Sequence, residues 1–224
     1  MAPGVLKTYR SKYKENVCKA IERTRIFLED REDESIAQIV SGITGLDSIE
    51  MDNHNEVIKS IIDGLIFAIG DDSLAEYIKE VAIDIDKFAH KYAYKETDKA
   101  TYQAMEGIVH NFNTMHSRAG AQVPFSSLNL GTDISPEGRM VIKNFLLAEE
   151  AGLGNGEIPI FPISIFKVKE GVNYNTDDPN YDLFKLSIRV SAKRLFPNFS
   201  FLDAPFNLKY YKEGDYHTEC TYMG

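Results

Sequence analysis

Residues 120–168, GAQVPFSSLNLGTDISPEGRMVIKNFLLAEEAGLGNGEIPIFPISIFKV, carry the pattern that decides the fold. Two β-rich runs, Gly120–Leu130 and Ile158–Val168, bracket a helix signal. Ser135 is a good N-cap, Pro136 suits the first helical position and Glu137 the first turn. A helix is therefore predicted over Glu137–Ala151, stopped by the glycines of Gly152–Gly156. Pro124, Pro159 and Pro162 exceed what an ordinary central strand accepts, so strand ends, bulges or irregular extended segments are expected there. Downstream, Asp177–Asn180 starts a helix running to about Leu195, and Phe199–Leu202 is a short extended piece. Strand, helix, strand, helix, strand at this spacing predicts parallel β/α units.

The preceding half reads as helix throughout. Tyr9, Tyr13, Val17, Ala20, Ile21 and Leu28 recur with a period near 3.6 over Thr8–Leu28. Asp33–Ile43 and Glu56–Ile69 repeat the pattern, with Gly42, Gly45 and Gly70 as stops. Acids at Asp71 and Asp72 open a further helix in the sense the macrodipole favours. From Leu74 to about Asn113 only Gly107 weakens the pattern, which predicts one very long helix or two joined at a kink.

Composition narrows the function classes. The 224 residues hold 25 Lys+Arg against 34 Asp+Glu, for a net charge of −9. Residues 29–98 hold 18 acids and 6 bases, whereas residues 1–28 hold 2 acids and 7 bases. An acidic balance argues against a broad nucleic-acid surface. No stretch approaches the roughly 20 apolar residues of a membrane helix, and no secretory signal precedes the first helix. Two cysteines, Cys18 and Cys220, are too few for a disulfide framework or a cysteine zinc site, and they fit a reducing cytoplasm. His54, His90, His110, His116 and His217 form no metal-binding array, so no metal is expected within the chain.

Few stretches suggest chemistry by residue type alone. His116–Gln122 has small residues and Arg118, which allow close backbone approach and a bidentate contact to a carboxylate or phosphate. From residue type alone an ordinary tight turn with a salt bridge is the simpler reading. The three glycines of Gly152–Gly156 follow a helix instead of preceding one, so a helix stop fits better than a phosphate cradle. The aromatics Tyr9, Tyr13, Tyr92, Tyr94 and Tyr102 lie in helical segments and read as packing residues.

Longer strings go further. Residues 96–106, 110–127 (HNFNTMHSRAGAQVPFSS), 131–133 (GTD), 135–139 (SPEGR) and 152–156 (GLGNG) resemble the anaerobic, class III ribonucleoside-triphosphate reductases. So do 159–162 (PIFP), 178–182 (DPNYD), 192–197 (AKRLFP) and 222–224 (YMG), in family order. The resemblance implies an α/β fold, part of a ten-stranded barrel of the glycyl-radical type, preceded by a mostly helical segment. It divides the chain into dimer and effector helices over 1–116 and β/α units of the barrel over 117–224. It implies reduction of ribonucleoside triphosphates to deoxyribonucleoside triphosphates in the cytoplasm, by a thiyl radical drawn from a glycyl radical. Deoxynucleoside triphosphate effectors, an activating iron–sulfur enzyme using S-adenosylmethionine, and a homodimer follow from the same resemblance.

The carry-over is limited to matching positions. Ser117, Arg118, Gly120 and Gln122 are expected at the substrate, Gln103, Glu106 and Phe125 on the effector side, and Met223 lining the catalytic site. In the family the YMG motif is followed directly by the radical cysteine, but here Tyr222-Met223-Gly224 are the last residues. Cys220 reads as a packing residue and Cys18 matches no family cysteine. The resemblance thus implies an internal fragment, inactive alone, with the glycyl radical and zinc in a missing C-terminal part; an intein junction would explain a break before a cysteine. The alternative is a non-catalytic nucleotide-binding or dimerisation module derived from the same family.

Overall fold

A computed structural model describes residues 1–25, 46–69, 75–115 and 122–210. Its elements are helices α1 (Ala2–Arg25), α2 (Asn55–Ile69) and α3 (Ala75–Thr114), then strand β1 (Ser127–Leu130) and helix α4 (Pro136–Ala151). Strand β2 (Ile163–Val168), helix α5 (Tyr181–Arg194), strand β3 (Asn198–Phe201) and the one-turn helix α6 (Pro205–Leu208) follow. The expected helix over Asp33–Ile43 lies outside the described residues. Among those described, no helix is long and apolar enough to cross a membrane.

The chain forms two compact units, Met1–Lys99 and Ala100–Gly224, divided within α3. The expected boundary at 116/117 falls on residues outside those described. In the first unit the apolar stripe of α1, Tyr9, Tyr13, Val17 and Ile21, is buried as its period predicts. Val57, Ile61 and Leu65 of α2 and Ile78, Ala82, Ile85, Ala89 and Ala93 of α3 are buried too. The helix α3 runs as one element over 40 residues, Gly107 included.

The second unit is an α/β layer. Its three strands are parallel in the order β1-β2-β3, with Leu128 opposite Ser164 and Phe166 opposite Phe199. Leu130, Phe166 and Val168 pack with Ile142, Phe145 and Leu146 of α4, with Leu183 and Val190 of α5, and with Met105 and Val109 of α3. The predicted β runs are shorter than their composition suggested: pairing begins at Ser127 and Ile163. Pro124, Pro159 and Pro162 all fall before it, because a proline has no N–H to give to the ladder.

The helix signals were local and held. Ser135 Oγ accepts from Gly138 N at 3.1 Å, and Asp133 Oδ1 accepts from Ser135 N at 2.9 Å and from its hydroxyl at 2.6 Å. Removing this cap with Ser135→Ala should cost about 1 kcal/mol, read as a lowered urea midpoint with unchanged slope. At the other end Gly152, at φ 80°, donates to Ala148 O at 3.1 Å. Arg194, from the last turn of α5, donates to the carbonyls of Glu150, Ala151 and Gly156 at 2.8, 2.9 and 2.7 Å. The three-glycine stretch is therefore a helix stop sealed by a guanidinium, at the end where the macrodipole favours a cation.

Candidate functional site

Side chains alternate across a strand, so each strand offers one set to the helices and one to the opposite face. Leu128, Leu130, Ser164, Phe166, Val168 and Phe199 take the helix side, and most join its core. The opposite face is largely polar: Asn129 and Asn198 flank Ile165 in register, and Lys167 lies beside Ser200. Lys167 is only 7% exposed and Ser200 6%. Asn129 Oδ1 is buried and accepts no hydrogen bond. An orphaned carbonyl oxygen of this kind costs about 1–3 kcal/mol, and a ligand donor can supply its missing bond.

The strand C-termini are held by two asparagines. Asn173 Nδ2 donates to Gly131 O at 3.0 Å and Lys167 O at 2.8 Å, while its Oδ1 accepts from Lys169 N at 2.9 Å. Asn180 Nδ2 donates to Gly131 O at 3.1 Å and Asp133 O at 2.8 Å. Arg139 donates to Asn180 Oδ1 at 2.6 Å, to Pro179 O, and to Asp182 Oδ2 at 2.8 Å. Gly131 has φ 122°, and a Cβ there would sit 2.7 Å from Lys167 O, so only glycine lets β1 leave this close to β2. Every amide of this corner is satisfied, which makes it a rigid frame for the polar face and not itself a docking point.

The opposite edge is set by Asn113 near the end of α3. Its Oδ1 accepts from Ile160 N at 2.8 Å and Phe161 N at 3.1 Å, and its Nδ2 donates to Phe161 O at 2.5 Å. This fixes the extended PIFP segment, whose proline-rich backbone has no ladder of its own. Phe125, 86% exposed, rests on Phe161 with ring centroids 4.7 Å apart.

One buried acid lies beneath the sheet on the helix side. Glu149 of α4 is 3% exposed, accepts a short hydrogen bond from Ser164 Oγ, and has no partner for Oε2. Burial pushes its carboxyl up to about 7, against the opposing pull of the Ser164 hydroxyl.

Of the residues proposed from sequence, Ser117, Arg118, Gly120 and Met223 lie outside those described, as does Cys220. Gln122 is the first residue of the described stretch 122–210, five residues before β1. Gln103 and Glu106 are exposed on α3, three residues apart and so on one face. Cys18 is a half-buried free thiol of α1, with its pKa raised by burial. Asn129, Lys167, Asn173 and Asn180 were missed by sequence reasoning. The one available signal was polar residues inside otherwise apolar strands, as in Asn129 of SLNL and Lys167 of ISIFKV.

Among the described residues no group of three or more His, Cys, Asp or Glu is arranged to hold a metal. A family model described as anaerobic ribonucleoside-triphosphate reductase matches residues 71–224. The chain is similar to the anaerobic ribonucleoside-triphosphate reductase of Enterobacteria phage T4, 36% identical over 144 residues, which cover 60% of this chain and 24% of that protein. It is similar to the proteins of the same name from Salmonella typhimurium and Escherichia coli, each 34% identical over 111 residues, covering 49% of this chain and 15% of theirs. The chain thus spans about a quarter or less of the length of these relatives.

Proposed function

The chain belongs to the anaerobic ribonucleoside-triphosphate reductase family, and on that footing we propose that it contributes three strands of a ten-stranded barrel that reduces ribonucleoside triphosphates. The observation that carries this reading is the polar second face of the sheet. A parallel sheet is normally covered on both faces, and one whose second face is lined by Asn129, Lys167, Asn198 and Ser200 suits a barrel interior holding a polar substrate. Asn129 and Asn198 would orient ribose hydroxyls, and Lys167 would bring a positive charge to the polyphosphate side. Excluding water from such an interior protects a radical from side reactions.

The glycyl radical, made by an activating iron–sulfur enzyme, would supply hydrogen-atom abstraction through a cysteine, and zinc would be held outside the described residues. Ser117, Arg118, Gly120 and Gln122 would contact substrate at the strand entrance, with Met223 lining the site. The helical half, 1–116, would serve dimerisation and effector binding through Gln103, Glu106 and, across from it, Phe125.

In an anaerobically activated reductase polypeptide that contains this segment, Lys167→Met should lower kcat/KM for CTP by about 100-fold, of the order of losing one charge-assisted contact in a water-excluded site. Full activity in that variant would reject the polar face as the substrate side. Titrating the 224-residue chain with dATP, dTTP and dGTP tests the effector assignment separately, since Gln103→Ala with Glu106→Ala should weaken whichever nucleotide binds.

A further inference from the structure

Five polar side chains that the helical sequence scatters over 82 positions converge inside the unit Met1–Lys99. Tyr9 and Tyr13 come from α1, His54 from the residue before α2, and Asp86 and His90 from α3. Tyr13 Oη donates to Asp86 Oδ1 at 2.5 Å, and His54 Nδ1 donates to the same oxygen at 2.8 Å. Tyr9 Oη lies 2.8 Å from His54 Nε2 and 2.7 Å from His90 Nδ1. The two imidazoles stand edge to face with centroids 4.8 Å apart, and His54 meets the Tyr13 ring at 5.2 Å. Both tyrosines are completely buried. The other group facing His90 is Tyr94 of α3, at 6.2 Å between rings. The nearby cations point elsewhere, Arg10 to Ile49 O and Lys12 to Glu15 and Glu96.

Counting protons shows what the arrangement tolerates. A hydroxyl between two imidazole nitrogens gives its own proton to one of them only if that nitrogen is bare; against two N–H groups it can only accept. With both rings neutral, Tyr9 donates to His54 Nε2 and accepts from His90 Nδ1. One added proton on His54 reverses the relay: His54 Nε2 then donates to Tyr9, Tyr9 donates to His90 Nδ1, and Asp86 offsets the new charge. No hydrogen bond is lost. A second proton makes Tyr9 face two donors and sets two imidazolium rings 4.8 Å apart, with only His54 touching the carboxylate.

We propose that Tyr9, Tyr13, His54, Asp86 and His90 form a proton-gated clasp that holds α1 and the His54 segment to α3 with at most one added proton and releases them when a second enters. Burial, followed by the neighbouring His54, keeps His90 below the ordinary histidine range, while Asp86 pulls it up less strongly. A histidine lowered in this way contributes stability that is complete above the ordinary value of about 6.5 and is lost as pH falls through its folded value. Asp86 is held below the usual carboxylate range: burial opposes this, but the hydrogen bonds from His54 and Tyr13 outweigh it. Its contribution is therefore lost only in stronger acid.

Proton NMR of the 224-residue chain tests the clasp without substitution. His90 should remain neutral to well below the ordinary histidine value. Titration of His90 near the value of free imidazole would overturn the proposal. In parallel, His90→Gln retains an amide that can bond Tyr9 and cannot be protonated. Between about pH 7.5 and 5.5 the melting midpoint of the natural chain should fall relative to that of the variant by about 5 °C. Because Glu149 titrates identically in both proteins, its contribution cancels. Parallel midpoints over that range count against the clasp, and should the variant not fold, the NMR titration decides.

Discussion

Replacing Glu149 by Gln should raise the melting midpoint of the β/α unit at pH 8 by about 5–10 °C, and the gain should vanish near pH 5. The carboxyl is buried between α4 and β2 with a single partner, the Ser164 hydroxyl, and its second oxygen accepts nothing. Burial moves it from an ordinary value of 4.5 to about 7. An acid raised in the folded state contributes fully below its unfolded value and loses that contribution as pH rises through its folded value. The loss is about 3 kcal/mol once both states are ionised. Gln keeps the shape and an oxygen for Ser164 but never ionises. Melts at pH 5, 6, 7 and 8 check this; parallel curves for the two proteins across that range would contradict the burial of a titrating carboxyl.

The second large effect is expected at Asn173. Its amide closes three backbone groups, Gly131 O, Lys167 O and Lys169 N, the first of them shared with Asn180 Nδ2. Asn173→Ala should cost about 3–5 kcal/mol, since it leaves buried donors and acceptors unmatched. Asn173→Asp should be worse despite its near-identical shape. It replaces an N–H₂ that donates to two carbonyls by an oxygen that repels both. Urea unfolding of the two variants should therefore order them Asn, Ala, Asp in falling stability. An Asp variant within about 1 kcal/mol of the natural chain would contradict the two-carbonyl geometry.

These positions show where sequence reading reaches and where it stops. The start of α4 was legible because its determinants, Ser135, Pro136 and Glu137, lie within one turn of each other. The stop at Gly152 was legible for the same reason. The parallel sheet was legible from the alternation and spacing of short β runs and helices, although the β-rich composition runs on past the paired residues, across the prolines that precede them. Asn173 and Asn180 were not legible, because the carbonyl they share, Gly131 O, lies 42 and 49 residues upstream. His54 and Asp86, 32 residues apart, gave no spacing signal, and Tyr9 and Tyr13 had the period of packing residues. They are packing residues by their rings. Only their hydroxyls, aimed at Asp86 and the histidines, give them a second role.

By itself the sequence determined the long helices of the described residues, the caps of α4, the parallel order of the β/α units and the family, because each rests on neighbouring residues or on strings compared position by position. Tertiary structure alone decided which face of the sheet is polar, which acid is desolvated and which histidines meet at one tyrosine hydroxyl. Those properties depend on burial and on partners brought together across tens of residues, and the dielectric and hydrogen bonds around a side chain exist only once the chain has folded around it.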